Sequence, residues 1–83
     1  MIIFDLDGTL ADITHRLHFI QKEPKDWDGF FAACVADKPI AHTIEIMNIL
    51  MNRDRVEIWT GRSDIVREET IRWLDIYGQK TLA

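Results

Sequence analysis

The chain opens on a continuous apolar run, Ile2-Ile3-Phe4, cut off by Asp5-Leu6-Asp7-Gly8. A run without polar alternation suits a strand covered on both faces, as in a parallel sheet, and the acidic, glycine-containing segment behind it reads as a turn. One other segment has strand character, Val56 to Trp59, and it too ends in a polar glycine turn, Thr60-Gly61-Arg62-Ser63. A strand, helices, strand order predicts a right-handed crossover and parallel neighbours. Open parallel sheets bind ligands beyond the carboxyl ends of their strands, so both turns are expected around one crevice.

The stretch between the strands has helical spacing. Ile13, Leu17 and Ile20 predict a helix from Asp12 that stops before Pro24, with His15, Arg16 and His18 off its apolar stripe. Those three read as a solvated face, Arg16 being near enough to the first turn to reach a substrate. Asp26 is a candidate N-cap for a second helix that buries Trp27, Phe30, Phe31, Cys34 and Val35. Asp37-Lys38-Pro39 breaks the chain, and Pro39 suits the first turn of a helix through Met51 carrying Ile40, Ile44, Met47 and Met51. A last helix is expected from Ser63 or Asp64 to Tyr77, stopped by Gly78, with Val66, Thr70, Trp73 and Tyr77 facing inward. Residues 1–83 hold no repeat or linker and read as one α/β unit. Two strands make a poor sheet, so the pattern is that of the N-terminal half of a larger one, and the open edge of Val56 to Trp59 predicts self-association.

Composition narrows the function. Fourteen acidic against ten basic residues give a net charge of −4, which argues against a broad phosphate-backbone footprint and leaves a nucleic-acid end as a compatible partner. The single cysteine, Cys34, forms no internal disulfide and belongs to no zinc set, and on its helical stripe it reads as a small buried hydrophobe. The opening apolar run is too short for a signal segment or a membrane span, so no membrane partner and a reducing, cytoplasmic location are expected.

The chemistry sits in the two turns. A carboxylate such as Asp5 attacks a phosphoryl group to give an acyl phosphate, splitting one hard hydrolysis into two easier displacements. Attack by an anion on an anion calls for neutralisation, which Mg2+ held by carboxylate and carbonyl oxygens supplies. Asp7 is placed to act as acid toward the leaving oxygen and base toward water. Gly8 permits a tight reversal, so that backbone N–H groups from Leu6 to Gly8 form a nest for phosphate oxygens. Thr60, the Gly61 turn and Arg62 add donors. Each has a plainer alternative: Thr9 as a helix-start cap, Thr60 as a turn residue, Arg62 as a surface cation.

Asp5-x-Asp7-Gly8-Thr9-Leu10 resembles the first motif of haloacid dehalogenase superfamily phosphatases, and the strand ending in Thr60 resembles their second. Asp7-Gly8-Thr9-Leu10-Ala11, the Pro24 to Asp28 loop, Thr60-Gly61-Arg62 and Trp73 are similar to small phage-type members such as polynucleotide kinase 3′-phosphatase domains. The resemblance implies a Rossmannoid three-layer sandwich of parallel strands and flanking helices. It further implies catalytic Asp5 and Asp7, Mg2+ bound by Asp5 and the Asp7 carbonyl, and phosphate held by Leu6, Gly8, Thr9, Thr60, Gly61 and Arg62. The implied substrate is a phosphorylated small molecule or a nucleic-acid 3′ end. The family's third-motif cation and fourth-motif acidic pair have no counterpart in the sequence, Lys80 being the sole cation after Gly78. Residues 1–83 alone are therefore expected to bind Mg2+ weakly and to show little or no turnover. The alternative expectation is a catalytically incomplete remnant serving as a phosphate-binding or interaction module.

Overall fold

The structure is a computed structural model that describes residues 1–78; Lys80 lies outside them. The chain forms a mixed arrangement of helices and a parallel two-stranded sheet. Strand β1 (Ile2–Asp5) leads into a short β2 (Ala11–Asp12) and a 3-10 helix, Thr14–Phe19. Helix α1 (Trp27–Ala32), a second 3-10 helix (Ala33–Ala36) and β3 (Lys38–Pro39) follow. The chain continues through α2 (Ala41–Leu50), β4 (Val56–Trp59), a 3-10 turn (Asp64–Val66) and α3 (Arg67–Tyr77). No helix among the described residues is long and apolar enough to cross a membrane.

The expected parallel pairing is present: β1 lies beside β4 with Ile2 opposite Val56 and Asp5 opposite Trp59. Phe4, Val56 and Ile58 pack on a buried cluster of Leu6, Leu10 and Ala11 with Ile44 and Met47 of α2 and Trp73 and Leu74 of α3. Both long helices therefore cover the same sheet face. The opposite face carries Ile3, Asp5, Glu57 and Trp59, since side chains alternate along a strand. Ile3 is 44% exposed and Trp59 57% exposed, so among the described residues the apolar run is not covered on both faces as its composition predicts.

Four helical expectations change in detail. Asp12 to Pro24 is not an α-helix but a six-residue 3-10 helix, which repeats every three residues rather than 3.6. Arg16 is fully buried instead of solvated, while Ile13, Leu17, Phe19 and Ile20 are all half-buried. In the second helix Asp26 caps as expected, its carboxylate accepting from the Gly29 N–H at 2.9 Å. The α-helix tightens to 3-10 after Ala32, turning Cys34 inward while Val35 and Trp27 stay exposed. Pro39 does not open α2; it pairs with Ala11 in an antiparallel two-residue ribbon, and Lys38 pairs with Asp12. Proline, which has no N–H to give, is tolerated in so short an edge pairing. The ribbon matters for the site because it carries Asp37 to the side of the first turn. Tyr77, expected inside, is 41% exposed at the end of α3.

Gly8 is the one residue of the first turn whose backbone demands glycine, with φ at +81°. Its N–H donates to the Ala11 carbonyl at 2.9 Å and closes the turn. An added Cβ at Gly8 meets nothing within 4 Å, so the cost of a side chain is backbone strain alone. Gly8→Ala is expected to lower stability by about 1–2 kcal/mol. Gly61→Ala, at a site with equally open space and no such φ, serves as the tolerated control. Urea denaturation of both variants checks the difference, and equal midpoints would contradict it.

Candidate active site

The register that sets Asp5 against Trp59 brings the two turns side by side at the carboxyl end of the sheet. The first turn is pinned from below. Leu6 and Leu10 are fully buried, and the Leu6 carbonyl accepts from the N–H groups of Thr9, Leu10 and Ala11 at 3.3, 2.9 and 3.0 Å. With the leucines drawn into the core, Asp5 and Gly8 are left exposed and Asp7 and Thr9 half-buried. The Leu6 N–H donates to the Asp5 carboxylate at 3.0 Å. The N–H groups of Leu6 and Gly8 expected to cradle phosphate thus have acceptors within the chain.

Asp7 is the point where the turns meet. Its Oδ1 accepts from Arg62 Nε at 2.9 Å, from Arg62 Nη2 at 2.7 Å and from Arg16 Nη2 at 3.1 Å. Both guanidiniums also bond to Asp37. Arg16 grips it with two parallel bonds, Nε to Oδ1 at 2.8 Å and Nη2 to Oδ2 at 2.9 Å, while Arg62 Nη2 reaches Oδ2 at 2.9 Å. Arg16 Nη1 donates to the Phe30 carbonyl at 3.2 Å, and the guanidinium lies 4.3 Å from the centre of the Phe30 ring. Arg62 Nη1 donates to the Thr70 hydroxyl at 3.2 Å, which itself donates to the Val66 carbonyl at 2.8 Å. Asp37 is fixed further by His15 Nε2 at 2.6 Å and by the Trp73 indole, which donates to its carbonyl at 2.9 Å.

The cluster is buried, with Arg16, Asp37, Arg62 and Thr70 all inside the molecule. Two arginines and two aspartates balance in formal charge, which is what allows charged groups to leave water. Burial by itself pulls the Arg16 guanidinium pKa down, but the hydrogen bonds and charge of Asp37, with Asp7 behind it, outweigh that and hold it above its ordinary value. Cys34 is buried nearby, and loss of solvation pushes its thiol pKa up against the pull of Arg62 and Arg16; it is inert packing.

Of the residues singled out in the sequence, the structure joins Asp7 to Arg62 and sets both beside Asp5 and Thr60. Arg62 is neither a surface cation nor pointed into solvent, because four of its hydrogen bonds run to Asp7, Asp37 and Thr70. Thr60 is exposed, and its hydroxyl oxygen accepts from the Arg62 backbone N–H at 3.2 Å, which leaves its O–H free to donate outward. A cavity of about 250 Å³ beside this turn is lined by Thr60, Arg62, Ser63 and Arg67 with the apolar Ile58 and Leu74. Sequence reasoning missed Asp37, which looks like a loop breaker, and misplaced Arg16.

For Mg2+, the fitting donors are the exposed Asp5 carboxylate and the Asp7 carbonyl, which takes no part in the backbone bonds that close the turn. Both are hard oxygens suited to the ion, whose remaining positions water fills. Among the described residues no group of three or more His, Cys, Asp or Glu is arranged to hold a metal. Compared with known proteins, the chain matches no family model, no curated protein and no solved structure.

Proposed function

We propose that the chain is a magnesium-dependent phosphomonoester hydrolase of haloacid dehalogenase type, working through a phospho-aspartate on Asp5, and that its sheet is part of a Rossmannoid three-layer sandwich. The observation that carries this reading is the junction of the two turns, with Arg62 of one held 2.7 Å from Asp7 of the other at the carboxyl end of parallel strands. Asp5 attacks phosphorus, the ester P–O bond breaks, and the departing alkoxide takes a proton that Asp7 carries on Oδ2 when substrate is bound, which leaves Asp7 as the carboxylate that then accepts a proton from water. Water then attacks the acyl phosphate and gives its proton to Asp7, releasing phosphate and restoring Asp5. All three arginine N–H bonds at Asp7 converge on Oδ1, so Oδ2 is the oxygen left for proton transfer. Bound Mg2+ would neutralise charge between Asp5 and the phosphate.

Exposure supports the substrate class. Asp5, Thr60 and Gly61 are open to solvent, which suits a terminal phosphate on a nucleotide or a nucleic-acid 3′ end. The net charge of −4 disfavours a long backbone footprint. Two observations favour a second reading, a phosphate-binding or interaction module without turnover: the buried arginines are spent on carboxylates, and Ile3 and Trp59 are exposed on the open sheet face.

The test is release of inorganic phosphate from 4-nitrophenyl phosphate and from a 3′-phosphorylated oligonucleotide under Mg2+ titration. Release from residues 1–83 is expected to be slight and to rise with Mg2+ without saturating at low concentration, and its complete absence with both substrates would favour the second reading. Thr60→Val removes an outward O–H and, with it, the acceptor of the Arg62 backbone N–H, and a hydrogen bond to a charged group is worth about 1.5–3 kcal/mol. KM is expected to rise by about tenfold or more, with the chain still folded and its melting temperature lowered by only a few degrees. A large stability loss with normal kinetics would make Thr60 structural.

A further inference from the structure

Asp37 touches neither the proposed nucleophile nor the open crevice, yet every charged group behind Asp7 converges on it. Its side chain is completely buried, and its two oxygens take bonds from Arg16, Arg62 and His15. Without it, Asp7 alone would face two buried guanidiniums. The cluster would then carry an uncompensated positive charge, and nothing would fix the plane of either arginine. With it, Arg16 is locked by a two-point grip and Arg62 by a bond on the same nitrogen that holds Asp7. Paired planar bonds of this kind set orientation as well as energy. Each guanidinium makes four hydrogen bonds within the chain, which keeps both from swinging out to capture a phosphate.

Resting on the hydrolase reading above, we propose that Asp37 is a positioning residue: it holds Arg16 and Arg62 in the arrangement that aims the Asp7 carboxylate at the reacting oxygen. The Trp73 indole, bonded to the Asp37 carbonyl, sets where Asp37 itself stands. The effect on catalysis passes wholly through Asp7.

The experiment compares the full chain with Asp37→Asn and with Trp73→Phe, after circular dichroism has established that each is folded. The first readout is exchange of the Arg62 Nε–H with solvent by nuclear magnetic resonance. That proton is bonded to Asp7 and not to Asp37, so a merely structural Asp37 would leave it unchanged in a folded variant. Exchange is expected to speed up by about tenfold or more in Asp37→Asn, and less in Trp73→Phe. If Asp37→Asn does not fold, Trp73→Phe decides alone. The second readout is turnover of 4-nitrophenyl phosphate, where a misaimed catalytic group typically costs about a hundredfold. The loss is expected in kcat with KM within about twofold. Unchanged Arg62 exchange in a folded variant overturns the proposal, as does an unchanged kcat. Absent turnover in the unsubstituted chain counts against the hydrolase reading instead, and the exchange measurement then decides whether Asp37 orders the arginines.

Discussion

Arg16→Met is expected to lower the unfolding free energy by about 3–5 kcal/mol, the cost of breaking a buried ion pair from one side. Methionine fills much of the arginine stem volume, so the loss measures charge rather than a cavity. Asp37 would keep only Arg62 and His15 as side-chain partners while remaining out of water, and the Phe30 carbonyl would lose its donor. Chains of 83 residues have total stabilities of about 4–12 kcal/mol, so the substitution consumes a large part of what is available. The denaturant midpoint should fall with little change in slope. A loss below about 1 kcal/mol would mean that the arginine is not buried as described.

Asp5→Asn is expected to cut turnover by at least about a thousandfold, because an amide is a poor nucleophile and removing such a residue ordinarily removes most of the acceleration. Stability should hardly move. Asp5 is exposed, and its bond in the turn is the one accepted from the Leu6 N–H, which an amide oxygen reproduces; exposed substitutions of this kind stay within about 0.5 kcal/mol. The contrast between the two aspartates is informative. Asp7 is tied to two arginines, so its replacement disturbs chemistry and packing together, whereas Asp5 isolates the chemistry. Turnover of Asp5→Asn near that of the unsubstituted chain would remove Asp5 from the nucleophile role.

What the sequence made legible was mostly local. The Val56–Trp59 strand, the Asp26 cap and the stop of the last helix at Gly78 depend on neighbours in the chain, and the structure has them; the parallel pairing of that strand with the first is long-range and followed from the strand, helices, strand order. The ion cluster was not legible, because it joins residues from five separate segments. Arg16 was read with an α-helical period where the chain takes a three-residue one. Asp37 carries no local mark of burial, and its partners come from the first 3-10 helix, the turn after β4 and α3. Pro39 illustrates the same limit: it suits a helix start equally well, and the pairing with Ala11 that overrides this lies far away in sequence. The open face of the sheet was likewise hidden, since a uniform apolar run gives no sign of which face a helix covers.

The claim that Asp5 carries the phosphoryl group is tested most directly by trapping the intermediate. The chain would be incubated with Mg2+ and 4-nitrophenyl phosphate, quenched in acid, reduced with borohydride, and mapped by peptide mass spectrometry. An aspartyl phosphate is reduced to homoserine, and the account predicts that change at Asp5, dependent on Mg2+ and lost in Asp5→Asn. Phosphate release with no modification at Asp5, or modification at Asp7 instead, would contradict it.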